Sequence, residues 1–361
     1  MTKMDLPSSK ECCGCSACFA ACPKKAIAML PDAEGFLQPK IDTNVCVGCG
    51  KCTEVCPVLH SGEPCKPVAV YAAKAKDDEL RKISSSGGVF SLLARDVLEK
   101  GGVVFGAAFE KGTHRVIHKA ARNEGELDEL RGSKYVQSDM GRTFCEVRDC
   151  LQEGKEVLFS GCPCQVAGLR TFLGKDFSNL LCVDVICHGV PSPLAWLAYL
   201  HDRENKEHAI LSAIYSRRNC SWRAYGFQFG FNGGHGEYFK QSQPTDFYLS
   251  GFVSDLFNRN SCNCCQFRSF KSRSDATIGD YWGIEYVHPQ FSDDVGVSAV
   301  VLNTTKGVKA FESVGEKLHL QCSKLEFLAK NNKAVFSSHK RHPKRDMFFK
   351  ALSSCREGGE L

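Results

Sequence analysis

The run Cys12-x-x-Cys15-x-x-Cys18-x-x-x-Cys22-Pro23 recurs as Cys46-x-x-Cys49-x-x-Cys52-x-x-x-Cys56-Pro57, and no other feature limits the fold so tightly. Two-residue spacers let three thiolates curl around one cubane, while the fourth cysteine, just before proline, points to the other cluster. On that rule Cys12, Cys15, Cys18 and Cys56 hold one 4Fe-4S cluster, and Cys46, Cys49, Cys52 and Cys22 hold a second. Structural zinc sites use two Cys-x-x-Cys pairs, so runs of three plus one exclude that reading. Gly14, Ser16, Ala17, Gly48 and Gly50 are small enough for backbone amides to approach sulfide. Cys13 lies off the spacing and is expected to be a spectator.

The chain carries 22 cysteines in 361 residues, and residues 1–9 are polar with no apolar core of a secretory signal. Metal-bound thiols in the cytoplasm are therefore expected. No apolar run approaches the roughly 18–20 residues of a membrane span. The formal charge of +5 treats every cysteine as a neutral thiol. Each four-thiolate cluster adds roughly two negative charges, so no nucleic-acid partner is expected. Lys340-Arg341-His342-Pro343-Lys344-Arg345 reads as a solvated surface segment.

Beyond the cysteine repeat, Ser84-Ser85-Ser86-Gly87-Gly88 precedes a helical stripe through Val89, Leu92, Leu93 and Val97 that stops at Gly101-Gly102. Residues 103–109 then read as a strand. Free amides at such a helix start make either a phosphate cradle or a plain N-cap with a tight turn. Strand 157–160, the loop Gly161-Cys162-Pro163-Cys164 and a helix ending at Gly174 are followed by strand 180–186, the loop Cys187-His188-Gly189 and a second helix. Strand, loop, helix, twice over, predicts a parallel pair with both cysteine loops beyond the carboxyl ends of the strands, where ligands sit.

Tyr225, Phe227, Phe229 and Phe231 alternate into a hairpin turning at Asn232-Gly233-Gly234, with its aromatics read as core. A third pair, Cys262 and Cys265, can meet Cys187 and either Cys164 or Cys162 as a third cluster; zinc or free buried thiols are the alternatives. Cys65, Cys145, Cys150, Cys182, Cys220, Cys322 and Cys355 have no ligand spacing and read as structural. His188, beside Cys187, is a candidate proton donor or a hydrogen-bonding residue.

Ser85-Ser86-Gly87-Gly88-Val89, Gly132-Ser133-Lys134-Tyr135-Val136-Gln137-Ser138, Pro163-Cys164-Gln165, Cys187-His188-Gly189 and Gly279-Asp280-Tyr281-Trp282-Gly283 occur in that order. Together they resemble the family of coenzyme F420 hydrogenase/dehydrogenase beta subunits, here preceded by a double-cluster ferredoxin, over residues 1–310. The resemblance implies FAD held by Ser85, Ser86, Gly87 and Gly88, with Ser133, Lys134 and Tyr135 as further contacts. It also implies iron–sulfur clusters that exchange electrons with an organic ring such as a deazaflavin. Cys162 stands where the family more often has threonine, and Cys264 is an extra thiol, so the fourth ligand of a third cluster stays open between Cys164 and Cys162.

The expected fold class is α/β with α+β elements, a bacterial-type two-cluster ferredoxin domain fused to a flavin-binding body. Its parts are residues 1–62 (ferredoxin), 63–75 (linker), 76–155 and 156–335 (the family's N- and C-terminal domains, the latter with FAD and the third cluster) and 336–361 (basic tail). The expected function is an iron–sulfur flavoprotein oxidoreductase joining a redox protein to an organic redox substrate through FAD. The alternative is an electron-transfer adaptor subunit without turnover of its own.

Overall fold

The computed structural model describes residues 5–216, 221–232, 239–242 and 245–357. Cys220, the Gly233-Gly234 turn and the side chain of Cys355 lie outside the described residues. In the cysteine-repeat region each loop runs through left-handed backbone, at Gly14 and Ser16 (φ 68° and 64°) and at Gly48 and Gly50 (φ 70° and 74°). These turns reverse the chain so tightly that only the short helices Ala17–Ala21 and Lys51–Glu54 follow them. Between the loops, β1 (Ile27–Pro31) and β2 (Leu37–Ile41) pair antiparallel, Ile27 opposite Ile41.

The body is built on an eight-stranded mixed sheet. Its first strands are β3 (Ala69–Ala75), β4 (Val103–Phe109), β5 (Val116–Ala121), β6 (Val157–Gly161) and β7 (Leu180–Val185). A separate three-stranded antiparallel sheet follows, from β8 (Leu211–Ser216), β9 (Gly226–Phe231) and β10 (Phe239–Ser242). The large sheet is completed by β11 (Ala276–Asp280), β12 (Ser298–Leu302) and β13 (Leu318–Cys322), in the order β13-β3-β12-β11-β7-β6-β4-β5. The strands β4, β6, β7 and β11 are mutually parallel, as the strand–loop–helix repeats predict, and antiparallel strands flank them.

Strand residues alternate between two covered faces. Val104, Leu158 and Val183 pack under the helix Val89–Glu99. Val103, Phe105, Val157 and Phe159 pack against the helix Pro163–Leu173, which Gly174 closes at φ 67°. Coverage on both sides is why these strands read as continuous apolar runs. The aromatics Phe227 and Phe229 are core, gathered with Trp196, Tyr199 and Tyr248.

Two expected boundaries need correction. Residues 69–75 of the expected linker form β3, which lies inside the sheet between β12 and β13 with Ala72 and Ala73 fully buried. An alanine-rich strand hides because alanine carries little strand propensity, and its partners come from more than two hundred residues downstream. The expected basic tail also contains the helix Arg345–Glu357. Arg345, read as solvated, is fully buried: its Nη1 and Nη2 donate to the two Glu34 carboxylate oxygens at 2.5 Å each. Nor is the cysteine-repeat region self-contained, since Cys13, Cys15, Ala17 and Val55 belong to the body's core under the helix Pro163–Leu173.

Candidate functional site

The two cysteine sets differ in exposure. Cys49 is exposed, with Val45 and Val47 exposed beside it, whereas Cys15 and Cys56 are buried toward the body. Backbone amides point at sulfur, Gly14 N–H to Cys12 Sγ at 3.4 Å and Ala26 N–H to Cys22 Sγ at 3.3 Å. Burial, with the neighbouring sulfurs of Cys12 and Cys56 adding to it, pushes the Cys18 thiol up to about 12. Burial likewise raises Cys52, with Cys46 and Cys49 adding to it. Thiols massed in two closely spaced sets fit a metal-cluster donor set.

The cysteine-repeat region is clamped to the body by Arg259, itself almost wholly buried. Its Nε donates to Cys12 O (2.8 Å), Nη1 to Gln137 Oε1 (2.9 Å) and Nη2 to Leu37 O (3.0 Å). Gln137 Nε2 in turn donates to Cys13 O at 3.0 Å. Across the same joint Cys15 sits on Gly168, where an added Cβ would stand 2.9 Å from its Sγ, and Thr171 Oγ1 donates to Val55 O. Neither Arg259 nor Gln137 stands out in the sequence, although Gln137 lies within the Gly-Ser-Lys-Tyr-Val-Gln run.

The body thiols meet beyond the carboxyl ends of β6 and β7. The Cys162 thiol donates to Cys187 Sγ, which is the main reason Cys187 falls to about 7. Burial raises Cys262, and the Cys187 sulfur adds to it; burial pushes Cys265 up to about 11. A small cavity of ≈50 Å³ is lined by Cys164, Cys187, Cys262 and Cys265. Cys162 instead faces a larger cavity. The Cys15 and Cys164 thiols both donate to Cys13 Sγ, which holds Cys13 well below its ordinary value. Cys13, expected as a spectator, thus touches both the first cysteine set and the body thiols. Cys264 is exposed and outside these contacts.

The larger cavity, ≈480 Å³, is of the size that takes a cofactor. Ser85, Ser86, Gly88, Ser133, Lys134, Tyr135, Cys162, Cys187, His188, Asp280 and Trp282 line it. Gly88 starts the helix Val89–Glu99 at φ 85°, and Ser86 Oγ is buried with no hydrogen-bond partner, an orphan that fits a polar ligand group. Gly87 differs from its expected role. It faces the sheet, where a Cβ would lie 2.2 Å from Ala73 O and 2.7 Å from Ser298 N, so it admits close backbone packing and does not line the cavity. Its φ is not in the left-handed region either; that conformation belongs to Gly88.

Lys134 Nζ donates to Glu129 O and Arg131 O, and so closes the helix Glu124–Leu130 at the cavity rim. Ser133 Oγ donates to Ser85 Oγ at 3.0 Å, and Tyr135 stacks on Tyr225 at 5.8 Å. His118, which no sequence motif marks, also lines this cavity. Burial pulls it down to about 4, and its ring nitrogens meet Ser138 Oγ (2.8 Å) and Ser160 O (3.0 Å). No helix among the described residues is long and apolar enough to cross a membrane.

Comparison with known proteins places this arrangement. A 4Fe-4S dicluster domain model matches residues 11–59. The N-terminal model of the coenzyme F420 hydrogenase/dehydrogenase beta subunit matches residues 70–143, and the C-terminal model matches residues 154–326. A subunit of the F(420)H(2) dehydrogenase of Methanosarcina mazei is 24% identical over 198 residues, spanning 50% of this chain and 55% of that protein. The match thus covers about half the length of that relative. A chain of the F420-reducing NiFe hydrogenase complex from Methanosarcina barkeri shares the fold, with TM-score 0.53 and 16% identity over 75% of this chain and 90% of that one. With both halves of the beta-subunit model matched in order behind a dicluster model, the chain belongs to the oxidoreductase family of coenzyme F420 hydrogenase/dehydrogenase beta subunits and carries a 4Fe-4S dicluster domain.

Proposed function

We propose that the chain is an electron-transfer subunit of a hydrogenase- or dehydrogenase-type complex, carrying electrons between a partner protein and a redox ring seated in the ≈480 Å³ cavity. The observation that carries this reading is the order of the thiols. The exposed set around Cys49 comes first, then the buried set around Cys15, the Cys13–Cys164 contact, the body thiols, and Cys162 on the cavity wall. When bound, 4Fe-4S clusters store and pass single electrons, and FAD links one-electron to two-electron chemistry.

The chain's part is to position these groups. Cys12, Cys15, Cys18 and Cys56 would hold the inner ferredoxin cluster, and Cys46, Cys49, Cys52 and Cys22 the outer one. Cys187, Cys262, Cys265 and Cys164, which share a cavity, would hold a third. Ser85, Ser86 and the Gly88 amide at the start of a helix would hold a diphosphate. Lys134 commits its ammonium to two carbonyls, and Tyr135 packs on its aromatic neighbours, so both act by shaping the rim. Exposed Val45 and Val47 beside Cys49 form the face on which a protein donor or acceptor docks.

The test is stopped-flow reduction of the cluster-loaded, oxygen-free chain by a reduced two-cluster ferredoxin as surrogate protein donor, and separately by dithionite. Cys49→Ala should slow bleaching of the remaining clusters by the protein donor at least tenfold and leave dithionite reduction unchanged. Equal rates with the protein donor would overturn the relay. A second reading, turnover of an oxidised ring by this chain without a partner, is favoured by the orphaned Ser86 hydroxyl in a cofactor-sized cavity. Oxidation of the reduced chain by coenzyme F420 with FAD present and no partner would move the second reading ahead.

A further inference from the structure

Outside the thiol relay, three chemistry-bearing side chains converge from distant parts of the chain. His188 follows Cys187 at the end of β7. Asp255 follows the helix Phe247–Val253 and is held in left-handed backbone at φ 63°. His339 lies in the segment before the last helix. One ligand atom from each can be chosen so that all three lie within 4.8 Å of one another. His188 Nε2 stands 3.1 Å from Asp255 Oδ1, and His339 Nδ1 stands 3.5 Å from Asp255 Oδ2. The two imidazole centroids are 3.9 Å apart.

We propose that His188, Asp255 and His339 form a binding site for one divalent metal ion of borderline softness, of the zinc or ferrous class. Ligand atoms at about 2.0–2.1 Å from a tetrahedral ion stand roughly 3.3–3.5 Å from each other, and the two nitrogen–oxygen separations bracket that value. His188 Nε2, the nitrogen nearest the carboxylate, is sealed from solvent and has no hydrogen-bond partner among the described residues. A simple His–Asp ion pair would align one N–H with the carboxylate, but the 3.1 Å approach is not so aligned.

The supporting contacts are also those of a metal site. Asn258 Nδ2 donates to Asp255 Oδ1 at 2.7 Å and fixes the carboxylate. The neighbouring cation Arg268 is turned to other acceptors. It donates to Cys187 O, His188 O, Ala334 O and Ser338 Oγ, and so ties the two histidine-bearing segments together. Two imidazoles and one carboxylate select a borderline ion over calcium or magnesium, which take oxygen ligands. Three protein ligands leave one coordination position for water. Because His188 also lines the larger cavity, the ion would sit at the wall between that cavity and the C-terminal segment.

The proposal does not depend on the electron-transfer reading, and its test reads metal alone. The full chain, purified without oxygen and with its clusters loaded, is dialysed against buffered micromolar free zinc, and iron and zinc are measured on the same sample. The expected result is about one zinc per chain with iron unchanged, and a zinc K-edge absorption spectrum fitted by nitrogen and oxygen ligands without sulfur. His339→Ala, an unbranched change in a coil segment, should lower zinc affinity at least tenfold at constant iron, and Asp255→Asn should do the same. Absence of zinc from the wild type, equal retention by His339→Ala, or a sulfur shell around the zinc would each overturn the site.

Discussion

Arg259→Met removes the clamp between the cysteine-repeat region and the body while keeping much of the side-chain volume. Three donor bonds disappear, to Cys12 O, Gln137 Oε1 and Leu37 O, from acceptors in a buried or half-buried joint. Hydrogen bonds to a charged group are worth roughly 1.5–3 kcal/mol each, but bonds of one group are lost as a unit and do not add. About 3–5 kcal/mol is therefore the expected loss, the range seen when a buried charged network is broken. The loss falls mainly on docking, because the bonds to Cys12 O and Leu37 O cross the joint and the third holds Gln137, whose Nε2 donates across it to Cys13 O. At 1.36 kcal/mol per factor of ten, the opening equilibrium should rise on the order of 150- to 5,000-fold.

Native-state hydrogen exchange on the oxygen-free, cluster-loaded protein reads this directly. Amides of Ala17–Ala21 and Pro163–Leu173, which face each other across Cys15 and Gly168, should lose protection together, while β4 and β6 keep theirs. Iron per chain should stay constant, since no cysteine is touched. Protection at both helices within threefold of wild type, in a folded variant, would refute the argument that Arg259 holds the joint.

Anaerobic preparation of the full chain should yield about twelve irons, four per thiolate set; Cys265→Ser should lower this to about eight, and Cys13→Ala should leave it at about twelve, by metal and sulfide analysis. Ser86→Ala should weaken FAD retention roughly threefold to tenfold with stability unchanged, as loss of one neutral hydrogen bond of about 0.5–1.5 kcal/mol does. Gly87→Ala, by contrast, should cost about 1–3 kcal/mol of stability by overpacking against Ala73 and Ser298, read as a lowered thermal midpoint. His118 is held neutral in the fold at about 4, below its unfolded value near 6.5, so its stabilising share is full above about pH 7 and is lost as pH falls from there toward 4. Between pH 7.5 and 5.5 that share should shrink by about 1.3 kcal/mol in urea unfolding, a loss absent from His118→Gln.

What the sequence made legible was periodic or closely spaced. The strand expected at 103–109 is β4, Gly174 ends its helix, and the pair β6 and β7 is parallel because two successive strand–loop–helix units leave little other choice. The illegible parts depend on partners far along the chain. Nothing in Ala69–Ala75 marks a buried strand until β12 and β13 flank it. Arg259 and Gln137 look like ordinary polar residues until Cys12 and Cys13 arrive from the other end. The spacing rule groups the eight repeat cysteines but has no means to register Cys13, whose sulfur is in contact with Cys164. Gly87 failed for a related reason: a glycine-rich run shows that a close approach is needed, not whether ligand or backbone makes it.

The pairing of Glu34 with Arg345 spans 311 residues, and this sets a clock on maturation. At roughly 5–20 residues per second, synthesis needs about 15–60 s to travel from one partner to the other. For most of that interval the arginines that fasten the cysteine repeat have not been made: Arg259 comes late in it and Arg345 only at its end. The thiols of Cys12, Cys15, Cys18 and Cys56 therefore stay open to solvent until the joint forms over them. The helix Arg345–Glu357 is made long after the cysteine repeat it helps to fasten, so assembly order is written into the distance between the two ends of one ion pair.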